Sequence, residues 1–252
     1  TDKAKAKELA AHLEDLVTKD GFEFYVLADG SSQQEYMPVG VAFGTTDGKT
    51  SYVPIDNDVL LAQGLTLGTF KEIFGRVLEH KKPIKCGYDT KYMKHVFANV
   101  GINLAGVSDD VMLESYVLEA HRSHTIEKLA ANWLKYELRG EEELLGKGAK
   151  KLSFSQVSVE KAAEFASERV FIVSRLNRLF KKALSDDAKL EKIYRDIEMP
   201  LSDVLFKMEQ NGVLIDTKLL DQQTAQLNTK ARELEEQAFE VAGENFKLSS
   251  PK

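Results

Sequence analysis

The spacing of apolar residues changes period after residue 55, and that change confines the chain to a small set of folds. Before it, three short runs rich in β-forming residues (22–28, 39–43 and 51–55) are separated by the turn signals Asp29-Gly30-Ser31-Ser32 and Thr46-Asp47-Gly48. Three strands on short turns predict an antiparallel meander. Beyond it, apolar positions recur at helical spacing over 67–79 and 89–100, with one short strand between them at 84–86. Gly101 follows the second helix, where a left-handed terminal residue belongs. Further helices are expected over 110–119, 125–135 and 158–184, and an amphipathic helix over 3–17 carries Leu9, Leu13 and Val17 on one stripe. The order β-β-β-α-β-α, then helices, predicts an α/β fold: a mixed sheet flanked by helices.

A second unit is expected from residue 187, after the polar break Ser185-Asp186-Asp187. A helix is expected over 188–211, with Pro200 inside it imposing a kink or a restart. Asp216 should cap, and Gly243 close, a helix over 217–242. There Leu220, Leu227, Leu234 and Val241 repeat every seventh residue, a narrow seam suited to packing on another helix. The division is therefore an α/β body over 1–186 and an all-α helical arm over 187–252.

Composition limits the function classes. A hydrophobic content of 43% supports a packed core. A formal net charge of −6 argues against a free-standing nucleic-acid binder, although DNA contact through a partner domain stays open. The single cysteine, Cys86, cannot form an internal disulfide and suits a reducing cytoplasm. No apolar run approaches the ~20 residues of a membrane span, and no signal pattern opens the chain. The first residue is Thr1 and the last are the polar Ser250-Pro251-Lys252, so the expectation is a monomeric fragment of a longer protein. The five histidines show no zinc spacing; His121 and His124 flank a turn and are expected to be solvated. Neither a serine nor Cys86 has a recognisable His/Asp partner pattern. The basic segment Gly146–Lys151 reads as a solvated loop.

Two sets of residues carry a family resemblance. Ile197-Glu198-Met199-Pro200-Leu201, Met208-Glu209, Gly212-Val213, Ile215-Asp216 and the ending Leu248-Ser249-Ser250-Pro251-Lys252 resemble the opening of the polymerase domain of bacterial DNA polymerase I, family A. Upstream, Gly101-Ile102, Gly106-Val107, Asp110, Met112-Leu113-Glu114-Ser115-Tyr116, Leu129-Ala130, Trp133-Leu134 and Gly146-Lys147-Gly148 are similar to its 3′–5′ exonuclease domain. The resemblance implies a ribonuclease H-like exonuclease fold over 1–186 and the first thumb helices over 187–252. It implies as partners the rest of the polymerase domain and, through the parent protein, DNA. Mg²⁺ is implied only for the polymerase palm, which these residues do not include.

In that family the nuclease works with two divalent metals held by carboxylates, which activate water and stabilise the leaving oxygen. Asp-x-Glu on the first strand shares one face, an Asp comes from a later helix, and Tyr-x-x-x-Asp shares a face of the last helix. At those five positions this chain has Tyr25 and Leu27, then Met93, then Phe165 and Arg169. A phenol, apolar side chains and a cation do not hold Mg²⁺. Asp29, Asp89, Asp110, Glu114 and Glu168 lie nearby. Asp89 and Asp110 stand at expected helix starts and read as caps, and Glu114 as a surface or supporting contact. Arg169 falls within the apolar stripe of the 158–184 helix and is expected to pair with an acid, Asp29, Asp89, Asp110 or Glu114. Tyr25, Leu27 and Met93 are expected to fill the cleft. The resulting expectation is a catalytically inactive exonuclease-like domain that supports a polymerase. The alternatives are a proofreading exonuclease with relocated ligands and a pseudo-nuclease that binds single-stranded DNA without cutting it.

Overall fold

The computed structural model describes residues 3–16, 21–45, 48–56 and 64–248. Val17, Thr46, Asp47 and residues 249–252 of the sequence reading lie outside these. The described chain divides into two compact units, Thr1–Gln210 and Asn211–Lys252. This division by compactness is separate from the family-domain boundary expected at 186/187.

A mixed sheet forms the centre of the first unit. Its strands are β1 (Phe22–Asp29), β2 (Met37–Thr45), β3 (Thr50–Asp56), β4 (Leu65–Thr66), β5 (Lys85–Gly87) and β6 (Val107–Asp110), in the order β4-β3-β2-β1-β5-β6. β1, β2 and β3 pair antiparallel, as the meander requires, while β5 pairs parallel to β1 and β6 parallel to β5. β4 and β6 escaped the sequence reading, which began a helix at residue 110.

Helices cover both faces, which is why β1 is apolar almost throughout. Its even residues Phe22, Phe24, Val26 and Ala28 pack with α1 (Lys3–Asp15), α2 (Leu67–Glu79) and α3 (Thr90–Asn99). Its odd residue Leu27 turns to the other face, against Phe165, Ala166 and Val170 of α7 (Val159–Ser185). That period of two is the pleat, and it places the first motif strand against the last motif helix. β2 approaches α7 closely enough that a Cβ on Gly44 would stand 2.3 Å from Val170 Cγ1.

α4 (Val111–Glu119) and α5 (Ile126–Leu129), the latter running into a wide π-type turn at Ala130–Leu134, complete this face with the short α6 (Glu141–Leu145). α8 (Ala188–Ile193) and α9 (Met199–Asn211) are joined by a second wide turn, Tyr194–Glu198. Pro200 follows at once inside a continuous helical course, and the wide turn, in which Met199 N reaches back to Tyr194 O, adjusts the helix where the proline has no amide to give. In the second unit Asp216 caps α10 (Thr217–Ala242), Gly243 ends it in the left-handed conformation, and α10 carries no buried residue.

Candidate functional site

The five residues read as motif positions lie near one another: three share one cleft, Phe165 packs with Leu27, and Arg169 lies by Tyr25 and Phe165. Tyr25, Leu27 and Met93 line one cleft of about 470 Å³, with Tyr36, Tyr88, Tyr92, Phe154 and Lys151 around it. Leu27 and Met93 are each only 1% exposed, so their side chains are core, yet the cleft is not filled as expected. Gly87 on β5 leaves room for Met93: a Cβ there would lie 3.1 Å from its sulfur. Tyr25 remains partly exposed. Burial pushes its phenol up to about 12, against the opposing pull of Arg169.

Arg169 is fully buried. Its Nη2 donates to Glu127 Oε1 at 2.9 Å and to the Arg139 carbonyl at 2.8 Å. Its guanidinium carbon sits 3.3 Å from the Phe165 ring centroid and 6.0 Å from that of Tyr25. The cation is therefore paired, but its partner is none of Asp29, Asp89, Asp110 and Glu114. Glu127 comes from α5, an element that the motif spacing does not touch. The cluster extends outward through Glu168, which accepts from Tyr136 Oη at 2.7 Å and pairs with Arg139 at 3.6 Å.

The other acids have structural duties. Asp29 accepts from the backbone N–H groups of Phe154 (2.7 Å) and Ser155 (3.1 Å). Asp89 takes the left-handed conformation, φ 53°, as N-cap of α3, and accepts from Tyr92 N. Asp110 is the N-cap of α4 and also stitches the start of α3. It accepts from Met112 N and Leu113 N, and from Asp89 N, Thr90 N and Thr90 Oγ1. Burial raises its carboxyl, while the donors from Thr90, Leu113 and Met112 oppose that shift. Asp109, also buried, pairs with Lys181 and Arg195, each at 2.8 Å.

Glu114 corrects the surface reading. It is fully buried and neither of its carboxyl oxygens has a hydrogen-bond partner among the described residues. Burial drives its carboxyl well above the ordinary range and the nearby Asp109 adds to the shift. His124 is likewise only partly exposed, its Nδ1 3.0 Å from Ser115 Oγ.

The residues present do not fit the metal pair of the resembled family. Among the described residues no group of three or more His, Cys, Asp or Glu is disposed to hold a metal. The Arg169 guanidinium beside Tyr25 would also repel a divalent cation.

Residues 38–176 match the family model described as "DNA polymerase I, ribonuclease H-like domain". The chain is similar to DNA polymerase I of Pseudomonas aeruginosa, with 37% identity over 87% of this chain and 24% of that protein. It is 30% identical to DNA polymerase I of Synechocystis sp. over 85% of this chain and 21% of that protein. For DNA polymerase I of Bacillus caldotenax the values are 32%, 67% and 19%. A solved structure, the POL domain of Pol1 from M. smegmatis in complex with DNA primer-template and dNTP, superposes with a TM-score of 0.74 at 24% identity, over 97% of this chain and 38% of that one. The chain thus spans about a quarter or less of the curated relatives named here.

Proposed function

Because this chain belongs to the DNA polymerase I ribonuclease H-like domain family, we propose that it is a catalytically inactive 3′–5′ exonuclease-like domain serving as a structural platform for a polymerase domain. On this reading residues 187–252 are the opening of the thumb, and template-directed DNA synthesis belongs to the rest of the parent protein, a cytoplasmic enzyme of replication and repair. The observation that carries it is Arg169, whose buried guanidinium stands where the nuclease needs a carboxylate and is already neutralised by Glu127. Of the nearby acids, Asp89 and Asp110 cap helices, Asp29 holds the Phe154 and Ser155 amides and Glu168 pairs with Arg139, while Glu114 is sealed in the core without a hydrogen-bond partner among the described residues.

A 3′-labelled single strand incubated with the chain and Mg²⁺ or Mn²⁺ tests this. No nucleotide release is expected. Chelator-sensitive release that copurifies with the chain would establish relocated ligands instead.

One observation favours a second role alongside the first. The cleft keeps its volume and is lined by Tyr25, Tyr36, Tyr88 and Tyr92, faces on which bases can stack. Salt-dependent quenching of tyrosine fluorescence by a short oligonucleotide would support non-cleaving binding; no quenching at low salt would remove it.

A further inference from the structure

α7 changes character along its length. Up to Arg169 acids and bases are mixed. From Val170 to Ser185 there is no acid, and Arg175, Arg178, Lys181 and Lys182 stand in a chain whose net charge is −6. Lys181 is committed to Asp109, and Lys182 sits in the last turn, where the helix dipole accounts for a cation. Arg175 and Arg178 lie too far from the helix end for that account. Phe171, Arg175, Arg178 and Lys182 recur at helical spacing and are all exposed, with Leu179 beside them. Two cavities flank this stripe and share Phe171, Arg175 and Arg178. One, of about 260 Å³, lies towards the β2–β3 turn and is lined by Ser174, Lys49 and Thr50. The other, of about 270 Å³, is walled by Leu134, Tyr136, Ile172 and Leu179. The Arg175 guanidinium lies 5.3 Å from the Phe171 ring centroid and pairs with no carboxylate among the described residues.

We propose that this stripe is a docking surface for an acidic peptide segment of a partner protein. A large apolar side chain of the peptide enters the cavity between Leu134, Tyr136 and Leu179, and its carboxylates meet Arg175 and Arg178. The proposal goes beyond the platform reading and uses none of the vacated motif positions. Charge complementarity selects the occupant. Arginine forks pair with carboxylates in two-point geometry, and arginine with aromatic residues around an apolar cavity is the composition of an interface centre. A single-stranded nucleic acid fits less well. It needs open aromatic faces, whereas Arg175 already stacks on Phe171, and it carries no aliphatic side chain for the second cavity.

Fluorescence anisotropy tests this with a labelled peptide of four glutamates ending in phenylalanine, titrated with the 252-residue chain. Saturable binding below about 1 mM is expected, weakened at least about tenfold when the peptide ends in alanine, and likewise by Arg175→Glu. Leu179→Ala should weaken binding of the phenylalanine peptide alone, which separates a cavity from diffuse attraction between charges. Both residues are exposed, so thermal melts of the variants should match the parent. No saturable binding, or binding indifferent to Arg175→Glu, would overturn the proposal. So would tighter binding of a single-stranded oligonucleotide that Arg175→Glu removes, or self-association of the chain that it removes, because nucleic acid or a second copy would then be the occupant. Loss of peptide binding in the family-length polypeptide that contains this chain would assign the surface to the polymerase portion and overturn the proposal as well.

Discussion

Removing either member of the Arg169–Glu127 pair strands a different group. The Glu127 side chain is 34% exposed, so without Arg169 it can turn to water, whereas Arg169 is 1% exposed and cannot. Glu127→Ala is therefore expected to cost about 3 kcal/mol, the penalty of an unpaired buried charge, and Arg169→Met less than about 1 kcal/mol. Urea unfolding of both variants checks the order; equal losses would show the pair to be symmetric. Glu114 adds a pH dependence. Its folded carboxyl titrates above its unfolded value, so between the two the native state holds a proton that the unfolded chain has released, and stability falls as pH rises. Glu114→Gln should remove that decline. Its stability relative to the parent should grow upward from the ordinary carboxylate range by at most about 1.4 kcal/mol per pH unit. A difference independent of pH would mean that Glu114 is charged in the fold. That Tyr25 lies near Leu27, and Phe165 near Arg169, was legible in the sequence because their spacing is local: two residues on a strand, four on a helix. Glu127 was not, because it lies 42 residues from Arg169 and only the packing of α5 against α7 brings them together.

Elements differed in legibility for the same reason. α2 was read at its observed limits because a long amphipathic pattern fixes a helix by itself. β6 has only Val107 as an apolar residue and ends in Asp109-Asp110, so its strand character comes from its neighbour β5 and not from its own residues. The wide turn before Pro200 was legible only as a demand for some break; the form of the break depends on how Tyr194 and Arg195 dock on β6. The closeness of β2 and α7 gives a test at this scale. Gly44→Ala should destabilise by about 1–3 kcal/mol through overpacking against Val170, and Val170→Ala should recover part of that loss in the double variant. Additive losses in thermal melts would mean that the two elements part without strain.

Across the molecule, α7 and α10 are helices of similar length in opposite circumstances. α7 buries one face along its whole course, and α10 buries no residue. Most helical stability in proteins comes from packing one face, so α10 amides should exchange at least about a hundredfold faster than those in the middle of α7. Mass-spectrometric exchange showing equal protection would reveal a cover on α10. The buried cation also bears on the history of such a chain. Arg169→Asp alone would set a second carboxylate against Glu127, and Leu27→Glu alone would bury an acid among Phe165, Ala166 and Val170. Each step loses several kcal/mol, and none gives turnover until the other ligands are in place. On the proposed reading, a lineage carrying this pair would regain the family's carboxylates one at a time only at a cost in stability. The loss would then act as a ratchet, with the packed guanidinium and its partner holding back each single reversal.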